Sequence, residues 1–205
     1  TVAVTPVVVE PTPKSISLTK IGRFETNLFE QGAAEITAYD AASKRLFVVN
    51  ASAAAIDVID LKDPTKPTKI GMINASGLGA GINSVAVRDG IVAAAVEATV
   101  KQDNGLVVFY KASDLTKISQ VAVGALPDML TFSPDGKTVL VANEGEPNAA
   151  YTVDPEGSIS VINVSDISKP TAKIADFKSF NGQEADLRSK GIRIYGLNAS
   201  AAQDF

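Results

Sequence analysis

The 205-residue sequence contains no cysteine, no histidine and no tryptophan. Without cysteine there is no disulfide, thiolate nucleophile, iron–sulfur cluster or zinc ribbon. Without histidine there is no serine–histidine or cysteine–histidine catalytic pair, no histidine-based zinc site and no histidine-ligated haem. Any metal held by this sequence therefore has oxygen ligands, which favours calcium or magnesium.

Excess positive charge and long hydrophobic runs are also lacking. The chain has 19 Lys and Arg against 23 Asp and Glu, and a mildly acidic chain argues against a nucleic-acid partner. The most apolar stretch, Ile91 to Val96, is far shorter than the roughly 20 residues of a membrane helix, so no membrane span is predicted. The first residue is Thr1 rather than Met, which indicates processing, and a lack of cysteine is compatible with export. We expect an extracellular, cell-surface or periplasmic location.

From residue 35 the chain repeats a unit of four short apolar strands separated by turns. The strands are predicted at 35–40, 45–50, 56–61 and 67–73 in the first unit, at 83–89, 91–97, 106–110 and 117–123 in the second, and at 129–135, 138–144, 159–164 and 170–177 in the third. A turn aspartate recurs at Asp40, Asp89 and Asp135, at intervals of 49 and 46 residues. Four strands every 45–50 residues or so is the period of a β-propeller blade.

The predicted fold is therefore an all-β propeller of which this chain contains about three blades, with units at about 35–73, 83–123 and 128–177. A β-sandwich also has short strands and turns and is the alternative. Proline-rich residues 1–14 are predicted to be a tail or linker, residues 15–24 a strand, and 178–205 a long loop before the next blade. A ring needs about 4–8 blades, so we expect the remaining blades as partners, in missing or separate sequence.

Several segments resemble known propeller families. The segment FSPDGKTVLVANEGEP (132–147) resembles the YVTN-type repeats of bacterial surface proteins. Together, GAAEITAYDAASKRLFVVN (32–50), ANEGEPNAAYTVDPEGSISVINVSD (142–166) and GIRIYG (191–196) resemble the choice-of-anchor I family. This resemblance covers residues 15–205 and implies a large exported propeller that continues into further blades. Some relatives are described as phosphatase-like.

The order of the strands predicts which end of the propeller is functional. In a four-stranded meander, the connections from second to third strand and from fourth strand to the next blade emerge at the same end. These connections are the longer ones, at 75–81, 99–105, 124–128, 144–157 and after 177, whereas the opposite end has short turns such as 40–43 and 133–136. Because sites concentrate on long loops held by a rigid scaffold, we expect the site at the long-loop end.

Polar residues mark the strand ends nearest these loops. First strands begin at Glu35, Asn83 and Asp128 and are expected to line the central channel, while second strands end at Asn50, Glu97 and Asn143. We predict that Glu35, Asn50, Asn83 and Asn143 form the rim of the channel. An oxygen-rich rim could hold a hard cation such as calcium, although a channel mouth is also polar simply because it is wet.

The loop after the third unit's second strand is strongly acidic. Glu144, Glu146, Asp154 and Glu156 lie within 13 residues, and without a cation such carboxylates repel one another and raise each other's pKa. The predicted calcium ligands are these four residues, then Glu97 and Asp128. The alternative is a solvated acidic loop. Arg188, Lys190 and Arg193 in the following segment are candidates for binding an anion, although mixed charge of this kind is usually solvated.

Two functions are consistent with these features. The favoured one is an exported or cell-surface binding or scaffold module, stabilised by calcium, whose partner is a cell-surface or other protein. The alternative is a metal-dependent phosphoesterase resembling alkaline phosphatases or propeller phytases, in which a calcium cluster binds phosphate and activates water. There Glu144, Glu146 and Asp154 would hold metal, and Arg188, Lys190 or Arg193 would contact phosphate.

Overall fold

The structure, a computed structural model, describes residues 15–193 and contains three four-stranded antiparallel sheets. Blade 1 consists of β1 (Thr37–Asp40), β2 (Arg45–Asn50), β3 (Ala55–Asp60) and β4 (Thr68–Asn74). Blade 2 consists of β5 (Gly81–Arg88), β6 (Ile91–Glu97), β7 (Asn104–Lys111) and β8 (Lys117–Ala125), and blade 3 of β9 (Pro127–Phe132), β10 (Thr138–Asn143), β11 (Ser158–Asn163) and β12 (Thr171–Asp176). The predictions for residues 1–14 and 194–205 lie outside the described residues.

The three blades are arranged side by side around an axis. Each is a simple meander in which consecutive strands are neighbours. The first strand of blade 2, β5, contacts the first strands of both other blades, β1 and β9. The outermost strand of blade 2, β8, contacts blade 3. First strands of all three blades line a common cavity of about 480 Å³, which marks the channel side. This arrangement confirms an all-β partial propeller of three blades and excludes the sandwich.

The hydrophobic core forms two layers, one on each side of blade 2. Phe47 of blade 1 and Val108 of blade 2 belong to the first layer, and Phe109 of blade 2 and Ile162 of blade 3 to the second. Because blade 2 is covered on both faces, its second strand β6 is apolar without alternation, and Ala93, Ala94 and Ala95 are all fully buried. The small alanine side chains let two neighbouring sheets approach the same strand.

Tight turns form the end opposite the long loops. The carboxylate of Asp40 accepts a hydrogen bond from the Ser43 amide at 2.8 Å, and that of Asp135 accepts from the Lys137 amide at 3.1 Å. A short carboxylate side chain suits such turns because it can bond backbone amides two or three residues ahead. The guanidinium of Arg88 donates to the carbonyl of Pro134, which ties the turns of blades 2 and 3 together.

The predicted strand at residues 15–24 is not present as a strand. This segment has no regular secondary structure and lies beside blade 1, and Ile16 and Leu18 are 84% and 93% exposed. A strand needs a hydrogen-bonding partner, and none pairs with this segment within residues 15–193. The alternating sequence therefore lacks the second strand that would make it part of a sheet.

Short helical elements follow blade 3. A 3₁₀ turn spans Lys178–Phe180 and helix α1 spans Glu184–Ser189. Across residues 15–193, no helix is long and apolar enough to cross a membrane.

Candidate functional site

The longer connections gather at one end of the propeller, here called the loop face. It comprises residues 75–80, 98–103, 144–157 and 177–193, together with the single residue Leu126 between β8 and β9. The ammonium group of Lys101, in blade 2, lies 2.5 Å from Oε2 of Glu146, in blade 3. Beside it, Nε2 of Gln102 donates to the Glu146 carbonyl at 3.2 Å, and Nδ2 of Asn83 donates to the Pro127 carbonyl at 3.0 Å. Loops of neighbouring blades are thus joined across the loop face.

Several predicted site residues meet around Lys101. The pKa of Lys101 is raised above its usual value, chiefly by its hydrogen bond to Glu146, with further contributions from the charges of Glu97 and Glu144. The pKa of the Glu144 carboxyl is raised by partial burial, then by the neighbouring charges of Asp128 and Glu146, while Lys101 opposes the shift. Carboxylates from both blades therefore produce a local excess of negative charge that one lysine partly balances.

The acidic loop 144–157 is anchored through its backbone. The amide of Glu144 donates to the Leu126 carbonyl at 2.9 Å and that of Gly145 to the Ala125 carbonyl at 3.2 Å. Gly145 has a φ of +64°, and a Cβ built on it would overlap the Pro155 carbonyl oxygen and lie 2.7 Å from the carbonyl carbon of Glu156. A left-handed backbone in so close a contact requires glycine. This contact folds the loop back on itself and brings its two acidic ends together.

A cavity of about 890 Å³ opens between this loop and the segment after blade 3. All four predicted loop carboxylates line it, together with two aromatic rings and an arginine: Glu144, Glu146, Asp154, Glu156, Tyr151, Phe177 and Arg193. Carboxylates and aromatic rings together provide an environment that suits a positively charged group.

The carboxylates do not form a ready-made metal centre. Among residues 15–193, no three acidic side chains are close enough together to hold one ion. Glu146 is already bonded to Lys101, and Oε2 of Glu156 lies 3.9 Å from Nζ of Lys178. In this arrangement the predicted ligands Glu144, Glu146, Asp154, Glu156, Glu97 and Asp128 therefore do not fit calcium as a coordination shell, which needs 6–8 oxygens around one point.

The predicted rim residues fall into two groups. Asn83 lines the channel cavity, and Glu35 is exposed at the start of blade 1. Asn50 and Asn143, by contrast, are 4% and 3% exposed. Their side chains lie within the packed faces of the blades, because the second strands that they end are covered by a neighbouring element.

Both buried asparagines donate hydrogen bonds within their blades, although Oδ1 of Asn143 has no hydrogen-bond partner among the described residues. Nδ2 of Asn50 donates to the Asp57 carboxylate at 3.2 Å, and Nδ2 of Asn143 donates to the Ser160 hydroxyl at 2.9 Å. Each bond joins the second strand of a blade to the third. These asparagines therefore stabilise blades 1 and 3 and are not part of the channel mouth.

The three predicted anion-binding residues occupy different positions. Nζ of Lys190 lies 2.7 Å from the Asp186 carboxylate one helical turn away. Arg188 lies on the same helix, α1, and Arg193 is the member of the three that lines the acidic cavity. Lys101, which pairs with Glu146, was not among the residues predicted from the sequence. Finding it from sequence alone would require recognising that its loop faces the acidic loop of the next blade.

Comparison with known proteins shows the fold. No curated protein matches the chain in sequence. Among solved structures, similar chains include a Kuenenia stuttgartiensis hydrazine synthase (16% identity, 70% of this chain and 37% of that chain, TM-score 0.53). A candidate 6-phosphogluconolactonase from Bacteroides fragilis is similar over 72% of this chain and 38% of that chain, with 16% identity and a TM-score of 0.53. A Lactobacillus plantarum protein is similar over 70% and 41%, with 17% identity and a TM-score of 0.52.

At these identities the similarity establishes the propeller architecture and nothing about activity. This chain spans about two fifths of the length of those structures. The family comparison is more specific: the model of the choice-of-anchor I domain matches residues 35–205. That match begins just before β1 and includes all three blades and the acidic loop. The chain belongs to the choice-of-anchor I domain family.

Proposed function

We propose that this chain is a binding or scaffold module of an exported or cell-surface protein, and that its ligand or partner docks on the loop face. The observation that carries the proposal is the acidic cavity of about 890 Å³, where four carboxylates from one loop lie beside Tyr151 and Phe177. Long loops joined across two blades on a rigid sheet scaffold are typical of binding surfaces. Membership of a choice-of-anchor family supports export or surface attachment.

The chemistry of the cavity favours a ligand group with positive charge. The raised pKa of Glu144 reports an electrostatic cost that a bound cation would relieve. Calcium is the simplest such cation, and calcium stabilisation is the finer part of the proposal. Because Glu146 is bonded to Lys101 at 2.5 Å, calcium binding would require that this ion pair open. The loop would then rearrange around the ion.

Thermal unfolding tests the calcium part directly. We expect calcium to raise the Tm and a chelator to lower it, since a ligand at 100 times its Kd stabilises by about 2.7 kcal/mol. Glu146→Gln should reduce this shift, whereas Asp89→Asn, in a turn at the opposite end, should leave it unchanged. A Tm that is indifferent to calcium and chelator would exclude calcium stabilisation. Isothermal titration with a lysine-rich peptide would then show whether the cavity takes an organic cation instead.

Export is tested separately from binding. If the protein is on the cell surface, antibodies or protease added to intact cells should reach it. Protection from both until the cells are lysed would contradict a surface location while leaving the binding proposal intact.

One observation favours the phosphoesterase alternative: Arg193 lines the same cavity as Glu144, Glu146 and Asp154. An arginine suits a phosphate oxygen, but four carboxylates around it repel an anion, and the binding module therefore ranks first. A generic phosphate monoester, assayed with calcium and then with chelator, separates the two. Turnover that the chelator abolishes would support an enzyme, and no chelator-sensitive turnover would exclude it.

A further inference from the structure

The segment before blade 1 repeats the sequence of an outer propeller strand. Residues 18–24 read LTKIGRF, residues 115–121 at the start of β8 read LTKISQV, and residues 68–73 in β4 read TKIGMI. Lys20, Lys69 and Lys117 occupy the same place in the three motifs and are 49 and 48 residues apart. That interval is the blade repeat itself, so residues 18–24 lie one blade upstream of β4, at the position of a fourth strand.

The links between third and fourth strands provide a second set of equivalent residues. In each blade an aspartate in this link accepts a hydrogen bond from the amide two residues ahead, at 3.0 Å for Asp63, 2.9 Å for Asp114 and 3.0 Å for Asp166. The residue directly after the aspartate is Pro64 in blade 1, Leu115 in blade 2 and Ile167 in blade 3. These three link residues are therefore structurally equivalent.

In blades 1 and 2, the fourth strand contacts the link residue of the blade that follows it. In β8, the Ser119 hydroxyl donates to the carbonyl of Ile167 at 2.6 Å. In β4, a Cβ built on Gly71 would lie 3.2 Å from Cδ1 of Leu115. Both residues directly follow the Thr-Lys-Ile motif of their strand.

Gly22, which follows the same motif in the upstream segment, makes the corresponding contact with blade 1. A Cβ built on it would overlap the carbonyl oxygen of Pro64 and lie 3.2 Å from Cδ of Pro67. Residues 18–24 therefore have the sequence of a fourth strand and hold a fourth strand's position against the next blade.

We infer that residues 15–24 are the outermost strand of a further blade, which packs on the open face of blade 1 and closes the ring. Its partner is a three-stranded antiparallel sheet that supplies the first, second and third strands of that blade. This inference is independent of the proposed function, because it concerns how the ring closes and not what the loop face binds.

A cavity beside blade 1 could receive side chains from such a sheet. A cavity of about 410 Å³ separates the upstream segment from the blade, with Phe24 and Leu28 on one side and Val48 and Asp57 on the other. Ile16 and Leu18 are almost fully exposed, as expected for a strand whose sheet is absent. Apolar side chains of the inner strands would fill the cavity, and their backbones would satisfy the unpaired groups of residues 15–24.

The connection from this strand to β1 also follows the blade pattern. In the meander, a fourth strand leads to the next first strand along the loop face. The Ala51 amide donates to the Gly32 carbonyl at 3.0 Å, which places the connection against the second-to-third turn of blade 1. Residues 25–36 therefore cross the same end as the equivalent connection at 75–80.

Amide hydrogen exchange in the complete natural protein tests the inference without a mutation. The amides of residues 16–23 should exchange at least about 100-fold more slowly than in the isolated 205-residue chain, where this segment has no partner strand. Equal exchange rates for the segment in the two proteins would overturn the proposal.

Strand complementation is the second test. A variant of the full-length protein from which residues 15–24 are deleted should have a lower Tm than the natural protein. A synthetic peptide of residues 15–24 should restore the Tm. A peptide with Gly22→Val should fail, because the new side chain meets the backbone of Pro64, whereas Lys20→Arg should restore the Tm as well as the natural peptide. A deletion that leaves the Tm unchanged, or a Gly22→Val peptide that restores the Tm as well as the natural peptide, would contradict the pairing of residues 15–24 as an outermost strand.

Discussion

At the scale of single residues, the chemistry of the loop face is set by charges that come from different blades. Glu144 directly follows β10 and lies close enough to Asp128 in the same blade and to Lys101 in blade 2 to feel both charges. Partial burial and the two neighbouring carboxylates make its ionisation harder than that of a solvated glutamate. A raised pKa in the folded state means that the folded chain holds this proton more tightly than the unfolded chain does.

Glu144→Gln should therefore raise the Tm at pH 7. Stability falls as pH rises from the ordinary value of 4.5 through the raised pKa of Glu144 and stays lower above it, because the unfolded chain ionises more readily in that window. The gain from glutamine, a few degrees at most, should disappear below about pH 4, where both forms of the chain are protonated. Thermal melts of both proteins between acid and neutral pH measure this, and a gain that persists at low pH would show a cause other than ionisation.

At the scale of elements, the acidic loop depends on one glycine. Gly145 combines a left-handed backbone with close contact to Pro155 and Glu156, where the loop returns toward β11. Asn148 stabilises the middle of the loop, because its side-chain oxygen accepts from the Thr152 amide at 2.9 Å. The position of the carboxylates thus follows from the loop's backbone and not from coordination of an ion.

Gly145→Ala should destabilise the chain by about 2–3 kcal/mol, through left-handed strain plus displacement of the Pro155 backbone. Gly77→Ala is the matched control in another connection of the loop face. Gly77 also has a left-handed φ, +73°, but a Cβ on it meets nothing within 4 Å, so this variant should lose about 1 kcal/mol. Urea unfolding of both variants gives the comparison, and equal losses would show that the contact with Pro155 is unimportant.

At the scale of the whole molecule, blade 3 has one covered and one open face. Its open face presents Met129, Leu140 and Val161, which are 55%, 40% and 37% exposed. Val108 in blade 2 is fully buried because blade 1 covers that face. The two valines, both in third strands, thus have the same side chain in opposite surroundings.

Val108→Ala should cost about 2 kcal/mol in the 205-residue chain, since two methyl groups leave the core and a cavity remains. Val161→Ala should cost less than about 1 kcal/mol, because its side chain is already partly hydrated. In a ring completed by further blades the cost at Val161 should rise toward that at Val108. Equal costs in the 205-residue chain would contradict an open face on blade 3.

The sequence by itself determined the strands, their order and the blade repeat. The predicted bounds of β2 and β6 agree with the structure residue for residue, because apolar runs bordered by turn aspartates specify strands locally. The same local signals identified the end with short turns and the end with long loops. The alternation at residues 15–24 also predicts a strand, but a local pattern cannot supply the neighbouring sheet that a strand requires.

Contacts between blades were decided by the tertiary structure alone. The Lys101–Glu146 ion pair joins residues 45 positions apart, and its existence depends on the rotation that sets one blade against the next. The same packing buries Asn143 between blades 2 and 3, and Asn50 is buried on the other face of blade 1, although each ends its strand beside the loop face. Side-chain periodicity predicts which face of a strand is apolar, whereas the neighbouring sheet determines whether a polar strand end meets water, a cation or the core.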